Sequence, residues 1–170
     1  MTDPRTLTKL IILYMLDKFD YPLTKAKILE LVLKKEYSNY WTFTSAIFEL
    51  TEDDLIESSS THSSTLISLT DKGRESLSFF RNRISEGIRS DIDRYCEENS
   101  LEIANDLSVM TNYYRTSSGD YIAELSARDK SEDLIKISIN MPTEENAVRA
   151  CEHWREKSSE IYSHILENLL

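Results

Sequence analysis

Lys25 and Lys27 follow Thr24 at the front of an apolar-periodic stretch, where both would fall in the first turn of a helix. A cation there is opposed by the partial positive charge of the helix N-terminus, a conflict of roughly 0.3 to 1 kcal/mol that a bound phosphate relieves. The chemistry this pair offers is anion capture; the bland reading is two solvated surface lysines. The aromatic group Tyr37, Tyr40, Trp41 and Phe43 offers stacking on a ligand or a base. Packing at the start of a helix is the preferred reading, because Phe43 falls on an apolar stripe and Trp41 directly precedes Thr42, a capping residue. Catalytic chemistry finds no foothold: there is no glycine-rich phosphate loop, no Gly-x-Ser-x-Gly and no His-Glu-x-x-His. His62 stands alone, while His153 and His164 would lie about 16 Å apart on one helix, too far to share a metal. Cys96 and Cys151 lack the spacing of a disulfide framework or zinc site and read as buried free thiols rather than a redox pair. The expectation is a non-enzymatic chain with no catalytic residue, no metal and no cofactor.

The elements that would position these residues come next. With 40% hydrophobic and 29% charged residues over 170 positions, the chain can bury one sizeable core or two small ones. Only three glycines and three prolines occur, which favours long elements joined by short turns. No apolar run approaches the roughly 18 residues of a membrane span, and the Met-Thr-Asp-Pro start carries no cleavage pattern. A soluble, cytoplasmic protein with no membrane partner is expected. The net charge is −10. Through Ser78 there are nine basic and twelve acidic residues, against eleven and eighteen afterwards, so the acidity lies mainly in the second half. A nucleic-acid binder ordinarily carries a basic face, and here one is left room but not demanded.

Asp3-Pro4 reads as N-cap and first helical residue; Leu7, Leu10, Ile11, Tyr14 and Met15 then recur at helical spacing, with Ile12, Leu13 and Leu16 filling the other side. A helix apolar nearly all round is a central one. Phe19-Asp20-Tyr21-Pro22 stops it, Thr24 caps a second helix with Ile28, Leu31 and Val32 inward, and Leu23 can staple onto Ile28. Thr42 is expected to cap a third, whose Phe43, Ala46, Ile47 and Leu50 form the buried stripe. Runs at residues 55–58 and 65–69, separated by a polar stretch from Ser59 to Ser64, read as a hairpin. Thr70 then caps a further helix in which Gly73 permits close backbone packing.

The helix order, the hairpin, and Ile67-Ser68-Leu69-Thr70-Asp71-Lys72-Gly73-Arg74 resemble winged helix-turn-helix transcriptional regulators of the PadR and MarR type, over about residues 5–80. The Leu-Ile-Ile-Leu-Tyr-Met-Leu opening and the Asn39-Tyr40 to Thr42 connector are similar, in more detail, to an uncharacterised winged-helix family of Gram-positive bacteria. The resemblance implies that the third helix enters the major groove and the hairpin reaches toward the backbone. Carried over, the DNA-binding positions are Thr42, Thr44, Ser45, Phe48 and Glu49, with Ser60, Thr61, His62 and Ser63 at the wing tip and Lys25 and Lys27 on the second helix. The sequence departs from such regulators in having no lysine or arginine on the third helix, so bidentate arginine contacts to guanine cannot come from it.

In the second half, Leu77, Phe80, Ile84, Ile88, Ile92 and Tyr95 suggest one long helix over about 71–97, followed by a shorter helical segment around 101–107. Three strand-like runs then form a meander, with Ser117-Ser118-Gly119-Asp120 as its first turn and a polar turn from Arg128 to Asp133 as its second. Pro142-Thr143 starts a last helix whose Ala147, Cys151, Trp154, Ile161, Ile165 and Leu169 cover the sheet. The expected fold is α+β: an N-terminal winged helix-turn-helix (1–78), a long linking helix, and a three-stranded antiparallel sheet under a long C-terminal helix, forming a dimerisation or sensor domain (79–170). Functionally this predicts a DNA-binding transcriptional regulator with double-stranded DNA and a second copy of itself as partners, and an unknown small-molecule or protein effector left open. The alternatives are a winged-helix protein-interaction module that does not bind DNA, and a ligand-binding protein using a pocket between sheet and last helix.

Overall fold

The Asp3 carboxylate accepts the Thr6 amide at 3.1 Å and Pro4 supplies the first helical residue, so helix α1 (Pro4–Lys18) starts where its caps dictate. Its residues Leu10 to Leu16 are all buried, with Ile11, Ile12 and Met15 wholly so. Thr24, in the short strand β1 (Leu23–Thr24), caps α2 (Lys25–Lys34). Then come α3 (Tyr40–Glu52), the hairpin β2 (Ile56–Ser60) and β3 (Thr65–Leu69), and α4 (Asp71–Phe80). The first sheet has the order β1-β3-β2, with Leu23 opposite Ile67 and Ile56 opposite Leu69. Three helices followed by an antiparallel hairpin occur here in the order expected from the sequence. The chain is a computed structural model that describes residues 2–19, 21–129 and 132–170. Asp20, in the expected stop after the first helix, and Lys130 and Ser131, in the expected second turn of the meander, lie outside the described residues.

Four sequence expectations are corrected. Asn39, not Thr42, caps α3, its side chain accepting the Thr42 amide at 2.9 Å, so Tyr40 and Trp41 are helical. The helix expected over 71–97 is broken: a 3-10 turn at Arg81–Arg83 leads to an extended Ile84 (ψ 125°), and Ser85 caps the restart by accepting the Ile88 amide. Burying Ile84, which is 1% exposed, is what the break achieves. The segment around 101–107 is no separate element but the end of α5 (Glu86–Ser108). Finally, the two compact units divide after Leu101 rather than Ser78: the first holds Met1–Ser60 and Ser64–Leu101, the second Thr61–Ser63 and Glu102–Leu170. Residues 79–101 stay with the first because Ile84 and Ile92 are buried and Asp91 and Asp93 accept the hydroxyls of Tyr37 and Tyr14 at 2.9 and 2.8 Å.

The second unit is an antiparallel meander, β4 (Val109–Arg115), β5 (Tyr121–Asp129) and β6 (Glu132–Met141), followed by α6 (Glu144–Leu169). Gly119 takes the φ of +96° that the first turn needs. Thr143 caps α6, and Cys151 and Trp154 press onto Ala123 and Leu125 of the central strand. The Trp154 indole, 1% exposed, donates to the Ser126 carbonyl at 3.0 Å, which satisfies its one polar atom. The architecture is α+β.

Gly73 sits at the junction of hairpin and α4, where Thr70 caps the helix and its hydroxyl donates to the Asp54 carbonyl at 2.7 Å. A Cβ at Gly73 would overlap the Leu55 carbonyl oxygen and lie 2.8 Å from Leu69 Cδ1. Gly73→Ala should therefore destabilise the chain by about 1 to 3 kcal/mol despite alanine's better helix propensity. Gly87→Ala, which meets nothing within 4 Å, should be neutral or slightly stabilising. Urea unfolding of the two variants checks the pair; equal midpoints would place the junction elsewhere.

Candidate nucleic-acid interface

Helix α3 divides cleanly by spacing. Phe43, Ala46, Ile47 and Leu50 are buried at 8% exposure or less. The same i, i+3, i+4, i+7 pattern shifted by two positions gives Trp41, Thr44, Ser45 and Phe48 on the opposite side. Trp41 is 79% and Phe48 64% exposed, and Tyr40, 53% exposed, meets the Trp41 ring edge-on with centroids 5.8 Å apart. This corrects the packing reading of Tyr40 and Trp41, because the earlier helix start carries them onto the outer face. It holds for Phe43, and Tyr37 is tied to Asp91. The signal was present in the sequence: Asn39 is as good a cap as Thr42.

Polar groups around this face are partly committed. The Thr44 hydroxyl donates to the Tyr40 carbonyl at 2.9 Å, leaving only its lone pairs and its methyl group for a partner. Glu49 is turned to α1, where Arg5 holds it at 2.9 Å and Lys9 forms a second ion pair. Those two cations, Lys9 foremost, hold the Glu49 carboxyl below the usual carboxylate range, so it stays ionised and engaged. Glu49 is thus a brace between α3 and α1 rather than a member of the outer face, whereas Thr44, Ser45 and Phe48 stand together on it. Thr42 is half-buried beside the cap.

On α2, the Lys27 amide donates to Thr24 Oγ1 at 3.2 Å and its ammonium stands 3.7 Å from Glu30, a loose surface pair. Lys25 has no ion-pair partner among the described residues, and Lys35 stands 3.8 Å from Asp91. At the hairpin, the Ser60 and Thr65 hydroxyls are 3.3 Å apart. Thr61, His62 and Ser63 group with the second unit, in which the His62 amide donates to Asn112 at 3.0 Å and its ring lies 4.6 Å from that of Tyr113. Of the wing-tip positions, His62 is therefore engaged by Asn112 and Tyr113.

A ligand site between sheet and last helix finds little room, since Trp154, Cys151, Ala123 and Leu125 fill that interface. A cleft of about 210 Å³ beside Phe19, Tyr21 and Leu69 is smaller than ordinary ligand pockets, and its Arg74 is paired with Asp17 at 2.5 Å. Among the described residues no cluster of His, Cys, Asp or Glu is arranged to hold a metal, and no helix is long and apolar enough to cross a membrane.

The model of a family described as a domain of unknown function (DUF4364) matches residues 8–169. No curated protein and no solved structure matches.

Burial pushes the Cys96 thiol up to about 12 and raises that of Cys151 as well. Both cysteines are free and under a tenth exposed. At about pH 8 a disulfide-exchange reagent should label both thiols of the unfolded chain but more than about tenfold more slowly in the native one. Rapid native labelling of either cysteine would contradict its placement.

Proposed function

The chain belongs to the DUF4364 family, and we propose that it is a cytoplasmic, non-enzymatic DNA-binding transcriptional regulator of the winged-helix kind, akin to the PadR and MarR types. The observation that carries this reading is the outer face of α3: the helix that enters the major groove in such folds is anchored on one side and presents exposed Trp41 and Phe48, with half-buried Thr44 and Ser45 between them, on the other. The first turn of α2 adds Lys25 and Lys27, whose charge conflict with the helix dipole a phosphate relieves. Acids lie at the far end of α3, at Glu52, Asp53 and Asp54, so charge is graded along the helix in the productive sense.

The working unit we propose is a homodimer. The buried stripe of α6 ends at Ser158, yet its apolar residues continue through Ile161, Leu166 and Leu169, which are 36%, 37% and 75% exposed, and Leu134 and Ile139 of β6 are also open. A second copy of this unit is the partner that would cover them and give two reading helices. A second reading, a protein-binding winged helix, is favoured by the net charge of −10 and by the aromatic character of the α3 face.

Salt dependence separates the two. If Lys25 and Lys27 each neutralise one phosphate per protomer, a dimer engages about four and the slope of log affinity against log salt should be near −3.6; a monomer gives about −1.8. Lys25→Ala with Lys27→Ala should flatten that slope, whereas Thr44→Ala and Ser45→Ala should alter sequence preference more than slope. Mobility shifts over a salt series read both. No shift of the parent protein at low salt would favour the protein-binding reading.

A further inference from the structure

We infer that the base α3 selects is thymine, recognised through its 5-methyl group, so that this protein's site on duplex DNA is defined by A·T pairs read in the major groove. The inference rests on the DNA-binding reading and adds to it the identity of the recognised edge. Each base presents a different demand in that groove. Guanine offers two acceptors and asks for a two-pronged donor, normally arginine. Adenine pairs an acceptor with a donor and asks for an amide side chain, and cytosine's amino group asks for a free acceptor such as a carboxylate. The outer face of α3 holds no arginine, lysine, asparagine or glutamine; of its carboxylates, Glu49 is held by Arg5 and Lys9 on α1, and Glu52 stands in the last turn, away from the first turn that approaches base edges. Its hydroxyls act singly: Thr44 has its proton engaged by the Tyr40 carbonyl, and Ser45 and the Tyr40 phenol cannot make a fork.

What remains on that face is apolar: the rings of Trp41 and Phe48, 79% and 64% exposed, flanking the Thr44 methyl group. Thymine's 5-methyl is the one group on a natural base edge in the major groove that such a surface recognises by burial rather than by hydrogen bonding. Trp41 lies in the first turn of α3, the part of a reading helix that approaches base edges. Two large aromatic side chains at 41 and 48 are nearly two turns, roughly 10 Å, apart along the axis, a span of about three base pairs.

The test uses the 170-residue chain. Duplexes selected by the protein from a random 20-base-pair pool, at about 50 mM salt, are resynthesised with deoxyuridine in place of thymine, which keeps pairing and removes only the methyl group. Affinity should fall about fourfold for each contacted methyl lost, hence about fifteenfold for two. Phe48→Ala and Trp41→Ala, both at exposed positions and checked for unchanged unfolding midpoints, should bind more weakly and lose the discrimination between thymine and uracil while keeping the parent's salt slope. Equal binding of thymine and uracil duplexes by the parent protein would overturn the inference and leave DNA binding standing. If no duplex is enriched or bound, both readings fall; Phe48→Ala and Trp41→Ala altering self-association in sedimentation would then mark the face as a protein contact.

Discussion

Burial of α1 on every side is the constraint on which the first unit depends. A helix with Ile11, Ile12, Leu13, Tyr14 and Met15 all at 1% exposure or less must be surrounded, and α3, α4, β3 and the front of α5 are the elements available to surround it. The Tyr14 hydroxyl donates to Asp93 at 2.8 Å, with Lys18 bridging to the same carboxylate at 3.0 Å and Arg81 over the ring. The hydrogen bond to Asp93 raises the Lys18 pKa above its ordinary value, so the ammonium is charged and the bridge intact at neutral pH. A buried phenol without that partner would be costly.

The face α3 presents follows from this packing. Its buried stripe and the Glu49 brace to Arg5 and Lys9 fix which side meets α1, and the opposite side is what solvent or a partner sees. The same brace turns the Glu49 carboxylate away from the outer face and engages it with Arg5 and Lys9. On the DNA-binding reading proposed above, recognition on such a face would fall to shape and methyl groups, and affinity to a few lysines on α2. An acidic chain with that division of labour would bind DNA with modest strength and marked sensitivity to salt.

Much of the fold was legible because caps and periodicity act locally. Asp3, Thr24, Thr70 and Thr143 each cap the helix their position announces, and the all-round apolar pattern of residues 10–16 marked a central helix. Features decided by tertiary contact were not. The break at Ile84 contains no glycine or proline, and β1, two residues long, exists only because Leu23 and Thr24 pair with Ile67 and Leu66. α2 and α3 end in left-handed residues, Glu36 and Asp54, where a glycine is usual, so no residue announced those ends. Of the candidate site, the α3 hydroxyls and Phe48 were legible by spacing, but Trp41 required the correct cap, and the commitments of Glu49 and His62 required the fold.

The two tryptophans give the most direct access to the central claim, that the outer face of α3 meets DNA, because Trp154 is 1% exposed and Trp41 79%. Acrylamide quenching of the fluorescence therefore reports on Trp41. On adding selected duplex DNA at low salt, quenching should fall toward that of a fully buried tryptophan and return as salt releases the complex. Saturating DNA that leaves Trp41 as open to quencher as in the free protein would contradict the account.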